Sequence, residues 1–379
     1  MRRPDLASRG ERTLTVCNAC RYCEQYCPVF PAMERRTAFD PDTLAYLANL
    51  CHNCGECLYA CQFAPPHQFG IDVPRLFAEI RLATYEDACR PRPLAPALRR
   101  LGPGGAIALA VMGAVVVAAA AAWMTPGALS SAPTDARFYA VVPHGTLVGL
   151  FGAAALVTIA ALLTALRGYW RTIGGAGPLS AAVVLQAVRE GLTLRHLHGE
   201  GTGCVSGEEA RPPWRRRWHH VTVGGLGLCL ASTTVAALYH ALGWVAPYAP
   251  GSLPVVLGVA GGLGLLVGPV GQWHSHRRRD PALGDPAQDH GTAGFLLLLW
   301  LTSATGLLLL ALRTRPVMPW LLVVHLGVVL ALFLAVPFGK VVHGGYRLLA
   351  LVKDVAERAA EARSGSGDGV PASPRSSRS

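Results

Sequence analysis

The sequence has no run of alternating apolar and polar residues, the pattern of half-buried strands, and this argues against a sheet-based fold. It has no G-x-G-x-x-G behind a strand pattern and no phosphate-binding loop ending in Gly-Lys-Ser or Gly-Lys-Thr. Lacking both, the chain has no nucleotide, nicotinamide or flavin site of its own. The opening Met1-Arg-Arg-Pro-Asp-Leu6 has no apolar core behind its charges, so it does not read as a signal peptide. Acidic residues are few, 23 Asp and Glu against 34 Lys and Arg, for a formal charge of +11. No basic stripe interleaved with aromatics accompanies that excess, so no nucleic-acid partner is expected. Membrane proteins concentrate such an excess in cytoplasmic loops.

Cysteine, by contrast, is abundant and clustered. Eight of the 11 cysteines lie between residues 17 and 61. They form Cys17-x2-Cys20-x2-Cys23-x3-Cys27-Pro28 and Cys51-x2-Cys54-x2-Cys57-x3-Cys61. This is the spacing of bacterial ferredoxins, in which three thiolates wrap one iron–sulfur cube and the fourth crosses to the other. By that rule Cys17, Cys20, Cys23 and Cys61 hold one 4Fe-4S cluster, and Cys51, Cys54, Cys57 and Cys27 the second. Structural zinc is the competing reading, but a third cysteine two residues on in each run is then hard to use. Adjacent C-x2-C units also make poor disulfide staples. Of the remaining cysteines, Cys229 reads as a small core residue, and neither Cys89 nor Cys204 has ligand-like spacing.

The first hundred residues read as a polar, helical, two-cluster ferredoxin-like domain. Asp40 and Pro41 start one helix, with Leu44 and Leu47 on its apolar face, and Ile71-Asp72-Val73-Pro74 starts another. The Pro-rich Arg90–Pro96 stretch reads as a stiff linker. From residue 101 to 345 come six apolar runs, roughly 104–124, 138–166, 220–244, 252–273, 291–312 and 316–343, each long enough to cross a bilayer. The expected fold is therefore all-α, a soluble head on a six-helix transmembrane bundle.

Arg167, Arg171, Arg189, Arg195, Arg211, Arg215–Arg217 and Arg277–Arg279 crowd alternate loops, with Lys340, Arg347, Lys353 and Arg358 at the end. The positive-inside rule then puts both termini in the cytoplasm of an inner-membrane protein. Residues 179–198 read as a short helix in the long second loop. Residues 346–379 read as a cytoplasmic tail, with the Ser/Gly/Arg-rich part from Ser364 disordered. The glycine clusters around Gly225 and Gly262 read as close helix packing.

Histidine within membrane runs is costly and is read as functional. His325 and His343 are 18 residues apart on the last run, which on one helix is about 27 Å and the same face. The third run begins at His219-His220 and carries His240 near its far end. Two helices thus offer histidines at two matching depths, as bis-histidine ligation of one or two b-type haems requires. Helical phase favours His219 over His220 beneath His240, and a kink at the glycines restores His220, so both stay candidates. His144, His274 and His276 are further candidates, while His196 and His198 read as surface residues.

With these segments in view, the sequence resembles the tricarballylate/citrate-utilization protein B family. The likeness rests on both cysteine runs, Ala64-Pro-Pro-His67, Arg215-Arg-Arg-Trp-His219-His220, Thr234–His240, Arg279–Pro286, Val324–Val328 and Pro337–His343. Cys61-Gln62 lacks the ferredoxin proline found after Cys27. The resemblance implies an electron-transfer subunit that reoxidises the flavin of an FAD-dependent, tricarballylate dehydrogenase-type partner and passes electrons to quinone in the lipid. Competing expectations are the membrane subunit of a heterodisulfide- or nitrate-reductase-like complex, and a cluster-based redox sensor. A transporter is disfavoured by the absence of acidic residues inside the runs. Arg21 and Arg75 are candidates for docking an acidic partner.

Overall fold

A computed structural model describes residues 4–130, 137–177, 179–198, 214–284, 286–339 and 341–367. No strand occurs among the described residues. The head comprises α1 (Pro4–Cys20), α2 (Val29–Glu34), α3 (Pro41–Leu50), α4 (Glu56–Tyr59) and α5 (Val73–Ala88). The starts of α3 and α5 follow the sequence: Asp40 accepts from the Thr43 amide at 2.7 Å and Asp72 from that of Arg75 at 3.1 Å. Each cap satisfies one of the amides that a first helical turn leaves unpaired, and a proline sits in each first turn.

Next come α6 (Leu94–Met124), α7 (Phe138–Val141), α8 (His144–Thr172), α9 (Ala181–Thr193), α10 (Trp214–Ala241), α11 (Leu253–Arg277), α12 (Pro286–Ala311), α13 (Met318–Ala335) and α14 (Val342–Gly367). Six of these (α6, α8, α10, α11, α12 and α13) are long and apolar enough to span a membrane, which makes this a multi-pass membrane protein. Side chains such as Val115, Leu156 and Leu230 stand more than half exposed on them, as a lipid-facing surface requires. The α6 segment bends at Gly102, whose φ of 52° suits glycine, ahead of Pro103, which cannot continue the helical hydrogen bonds. The span proper starts at that bend.

Glycines seat α10 directly on α11. A Cβ at Gly225 would lie 2.9 Å from the Gly261 carbonyl, and one at Gly261 would lie 2.8 Å from the Cys229 amide. The two backbones therefore touch, as small residues in membrane helices allow.

Two expectations about the end of the chain change. The last apolar run is not one helix: α13 stops at Ala335, Pro337 follows, and His343 lies on the separate α14. His325 and His343 therefore do not share a helix face. The segment after residue 345 is also no free tail. It continues α14 to Gly367, so the expected disorder from Ser364 gives way to helix as far as the described residues reach. Residues 368–379 lie outside them.

Helix α14 completes the core of the head. Leu14, Phe30, Met33, Leu44, Leu47 and Phe77 are buried in one continuous cluster with Tyr169 of α8, Val183 and Ala187 of α9, and Tyr346, Leu351 and Val355 of α14. Each large apolar side chain of α14 buried there contributes about 1.5–3 kcal/mol toward holding the helix on the head. Ion pairs fix its register. Arg35 pairs with the buried Asp354, and Arg36 bonds Glu357 at 2.7 Å. Asp354 also receives Arg358 at 2.9 Å, so the buried carboxylate is doubly paired.

Candidate metal centres

Two chambers sit in the head, and each gathers four cysteines. Cys17, Cys20, Cys23 and Cys61 line one of about 720 Å³. Cys27, Cys51, Cys54 and Cys57 line the other, of about 350 Å³. The fourth cysteine of each run has crossed to the opposite chamber, as the ferredoxin spacing predicts. Phe30 lies on both linings and forms the wall between them.

Local backbone makes this possible. Arg21 and Asn53, within the C-x2-C loops, adopt φ of 54° and 55°, and Gly55 one of 86°, reversing the chain so that consecutive thiols face inward. The Asn53 amide donates to the Cys51 sulfur at 3.3 Å.

The donor set suits a cationic cluster. Burial and the neighbouring Cys61 push the Cys17 thiol up to about 12, and the same causes push Cys23 to about 12. Burial, then Cys54 and Cys51, raise Cys27 well above the ordinary thiol range. Four sulfurs so placed become thiolates together only around a positive centre. Among the described residues no three His, Cys, Asp or Glu side chains close around a single ion. Each chamber thus offers the four thiolates that a 4Fe-4S cube needs.

The chambers differ in their surroundings. Around the first, Cys20 is exposed and Tyr22 is 60% exposed. In the second, Cys51 and Cys54 are buried. Three arginines hold its loop. Arg347 donates to the Cys51 carbonyl at 2.7 Å, Arg81 reaches the same oxygen at 3.3 Å, and Arg215 donates to the Asn53 carbonyl at 3.2 Å. Beside them His52 is buried, and burial, then Arg347, hold it well below the ordinary histidine range. Its ring lies edge-on to His196, which contacts Glu190 at 3.3 Å. His196 is therefore an interior residue, not the surface residue expected. Cys204 lies outside the described residues, and Cys89 and Cys229 lie in neither chamber.

Among the membrane histidines, His219 of α10 faces His343 of α14 with ring centroids 6.2 Å apart. Two imidazoles bound to one metal through nitrogens about 2 Å away have centroids about 6 Å apart, so this pair fits a bis-histidine iron. His220 does not join them. It is turned out and contacts the Leu192 carbonyl at 2.9 Å. This corrects its candidacy, and the reason is helical phase: adjacent residues differ by about 100°.

The far pairing differs from expectation. His240 stacks on His144 with centroids 3.8 Å apart and touches Tyr139, rather than meeting His325. That spacing leaves no room for iron between the rings. His325 Nδ1 lies 3.0 Å from the Thr305 hydroxyl, whose own proton goes to the Leu301 carbonyl at 2.7 Å. The ring is also hydrogen-bonded to the Thr302 backbone, so α12 holds the imidazole at two points. His276 is paired with Asp289 at 3.0 Å, and His274 is exposed.

Sequence reasoning missed Arg81, Arg215, Arg347, His52 and Glu190. A signal existed for two of them: Arg215 is four residues before His219, and Arg347 four after His343, so each shares its histidine's helix face. The docking candidates are ordinary: Arg21 donates to the Asn18 carbonyl, and Arg75 pairs with Glu79 at 3.6 Å.

Known proteins agree with this architecture. Residues 10–87 match the model of the citrate utilization protein B Fer4-like domain, and residues 98–364 that of citrate utilization protein B. The chain is 44% identical over 350 residues to citrate utilization protein B of Escherichia coli, covering 92% of each. No solved structure matches it. With the ferredoxin-type head and the six-span bundle both accounted for, the chain belongs to the citrate utilization protein B family.

Proposed function

We propose that this chain is a membrane electron-transfer subunit of an oxidoreductase system. It takes electrons from the reduced flavin of a tricarballylate dehydrogenase-type partner and delivers them to quinone. One observation carries the reading: the loop of the second four-cysteine chamber is bonded by Arg215 and Arg347, which stem from the same helices as the facing His219 and His343. Cys17, Cys20, Cys23 and Cys61 would hold one 4Fe-4S cluster, and Cys27, Cys51, Cys54 and Cys57 the other. His219 and His343 would hold a b-type haem. His325 lies against Thr305, and His240 against His144, instead of facing each other. Such groups, when bound, supply one-electron redox chemistry at the places where these residues hold them.

The protein's own contribution is spacing and electrostatics. Phe30 separates the chambers, the exposed first chamber faces a soluble donor, and the arginines tie the second chamber to the bundle. The loop charges and the site of cluster assembly favour an inner-membrane protein with head and termini in the cytoplasm.

The test is anaerobic purification followed by iron and sulfide analysis, optical difference spectra and EPR, with and without reduced flavoprotein. The expected result is two cluster signals and a b-type band that His343→Ala abolishes and His220→Ala retains. Protein with clusters but no haem band would remove the histidine part of the proposal. Clusters that no reduced flavoprotein reduces would remove the donor.

A further inference from the structure

One cavity belongs neither to the cysteine chambers nor to the histidine pair. It opens where α5, α6, α12 and α14 meet, with an empty volume of about 930 Å³ including its open mouth. Its walls are apolar or small: Ala106 and Leu109 from α6, Gly291 and Phe295 from α12. Its polar groups gather at the head end, where Tyr85 of α5, Tyr346 of α14 and Gln288 of α12 line it. Gln288 anchors that end by donating to the Ala78 carbonyl at 2.6 Å.

The position is specific. The spans of α6 and α12 begin at Gly102 and Gln288, so the cavity lies at the head-side boundary of the apolar layer. It also lies beside the second cysteine chamber. Tyr346 lines the cavity, and its chain neighbour Arg347 donates to the carbonyl of Cys51 at 2.7 Å. Along α5, Phe77 lines the chamber and Tyr85 the cavity, about 12 Å apart at the helical rise.

A polar end against the head with apolar walls toward the bilayer calls for a ligand with a polar ring and an apolar tail. A lipid acyl chain has no use for the two phenols, and a water-soluble substrate none for the apolar walls. We propose that this cavity binds the head group of an isoprenoid quinone, with Tyr85 and Tyr346 as donors to its carbonyl oxygens. The proposal rests on the electron-transfer reading above and adds the place of delivery. Burial raises the pKa of both phenols, so both stay protonated and able to donate. The reaction balances: a partner's reduced flavin gives up two electrons and two protons, and the quinone takes two electrons and two protons from the head side to become the quinol.

The experiment uses the cluster-loaded full chain in lipid nanodiscs, reduced with dithionite. Reoxidation by decyl-ubiquinone is followed in stopped flow, and an azido-quinone photoprobe is mapped by mass spectrometry. Wild type is expected to reoxidise and to carry label on α5, α12 or α14, displaced by decyl-ubiquinone. Gly291→Leu, which fills the cavity, should slow reoxidation about tenfold or more and lose the label, with cluster EPR signals retained. Tyr85→Phe, which keeps the shape, should slow it by a smaller factor. If wild type reduces quinone but both variants match it, or the label lies elsewhere, the site assignment fails alone. Label in the cavity that decyl-ubiquinone does not displace would mark a lipid pocket and overturn the assignment too. If wild type reduces no quinone, the acceptor reading itself falls, and the site with it.

Discussion

The two cysteine chambers come from runs of identical spacing, yet the fold makes them unequal. The first is open at Cys20 and Tyr22. The second is closed over Cys51 and Cys54 and is gripped by Arg81, Arg215 and Arg347. Spacing therefore specifies what a chamber holds, while surroundings specify which neighbour it serves. Among the described residues, hydrogen bonds from Arg215 and Arg347 tie the closed chamber to α10 and α14. Guanidinium groups beside a cluster would favour its more negative, reduced state, which on the proposed reading makes the second chamber the electron sink of the pair.

The largest effects should come from breaking the crossing between the chambers. Cys61→Ser is expected to remove the same EPR signal as Cys17→Ser and to spare the one that Cys51→Ser removes. Cys27→Ser should do the reverse, each variant losing about half of the iron and sulfide. If Cys61→Ser instead removes the signal tied to Cys51, the chambers are not as described.

Next in size is the contrast between buried and exposed arginines. Arg347→Gln should lower the potential of the second cluster relative to the first in an EPR redox titration. It should also cost about 1–3 kcal/mol in thermal unfolding, because the Cys51 carbonyl loses a charged donor. Arg21→Gln, beside the open chamber, should move neither potential and should change stability by about 0.5 kcal/mol or less. Equal shifts from both variants would erase the distinction.

A pH dependence should be confined to the closed side. Burial alone would raise the Glu190 carboxyl, but hydrogen bonds from His196 and Gln186, with the Arg358 charge, hold it at about 2, below its ordinary 4.5. A carboxylate with a depressed folded pKa contributes stability that is present above about 4.5 and lost as the pH falls toward about 2. Hydrogen exchange across α9 and the Cys51–Cys54 loop should accelerate in that window, and Glu190→Gln should flatten the change. A further small effect is expected at Thr305→Val, which removes the hydroxyl bonded to His325 and should cost about 1 kcal/mol. The head's EPR signals should not respond to it.

Much of this protein follows from sequence by short-range rules. The spacing of the thiols marks the cluster residues, because consecutive ligands must fall within one loop's reach. The apolar runs mark six spans, because a bilayer core admits little else than helix. Helical phase gave His219 the advantage over His220, since neighbours on a helix cannot face the same way.

What only the tertiary structure decided depends on residues far apart in the chain. The chain breaks around Pro337 between α13 and α14, and α14, expected as a tail, fills the head's core and carries His343 to His219 from a different helix. His240 meets His144 rather than His325 because the end of α10 comes beside the start of α8, whatever the depth along each helix. The inequality of the chambers is of the same kind. The C-x2-C-x2-C-x3-C runs are alike in sequence, but Arg215 and Arg347 reach the second from 162 and 296 residues away. Local chemistry could name the candidate ligands, and only the long-range fold could say which chamber is buried.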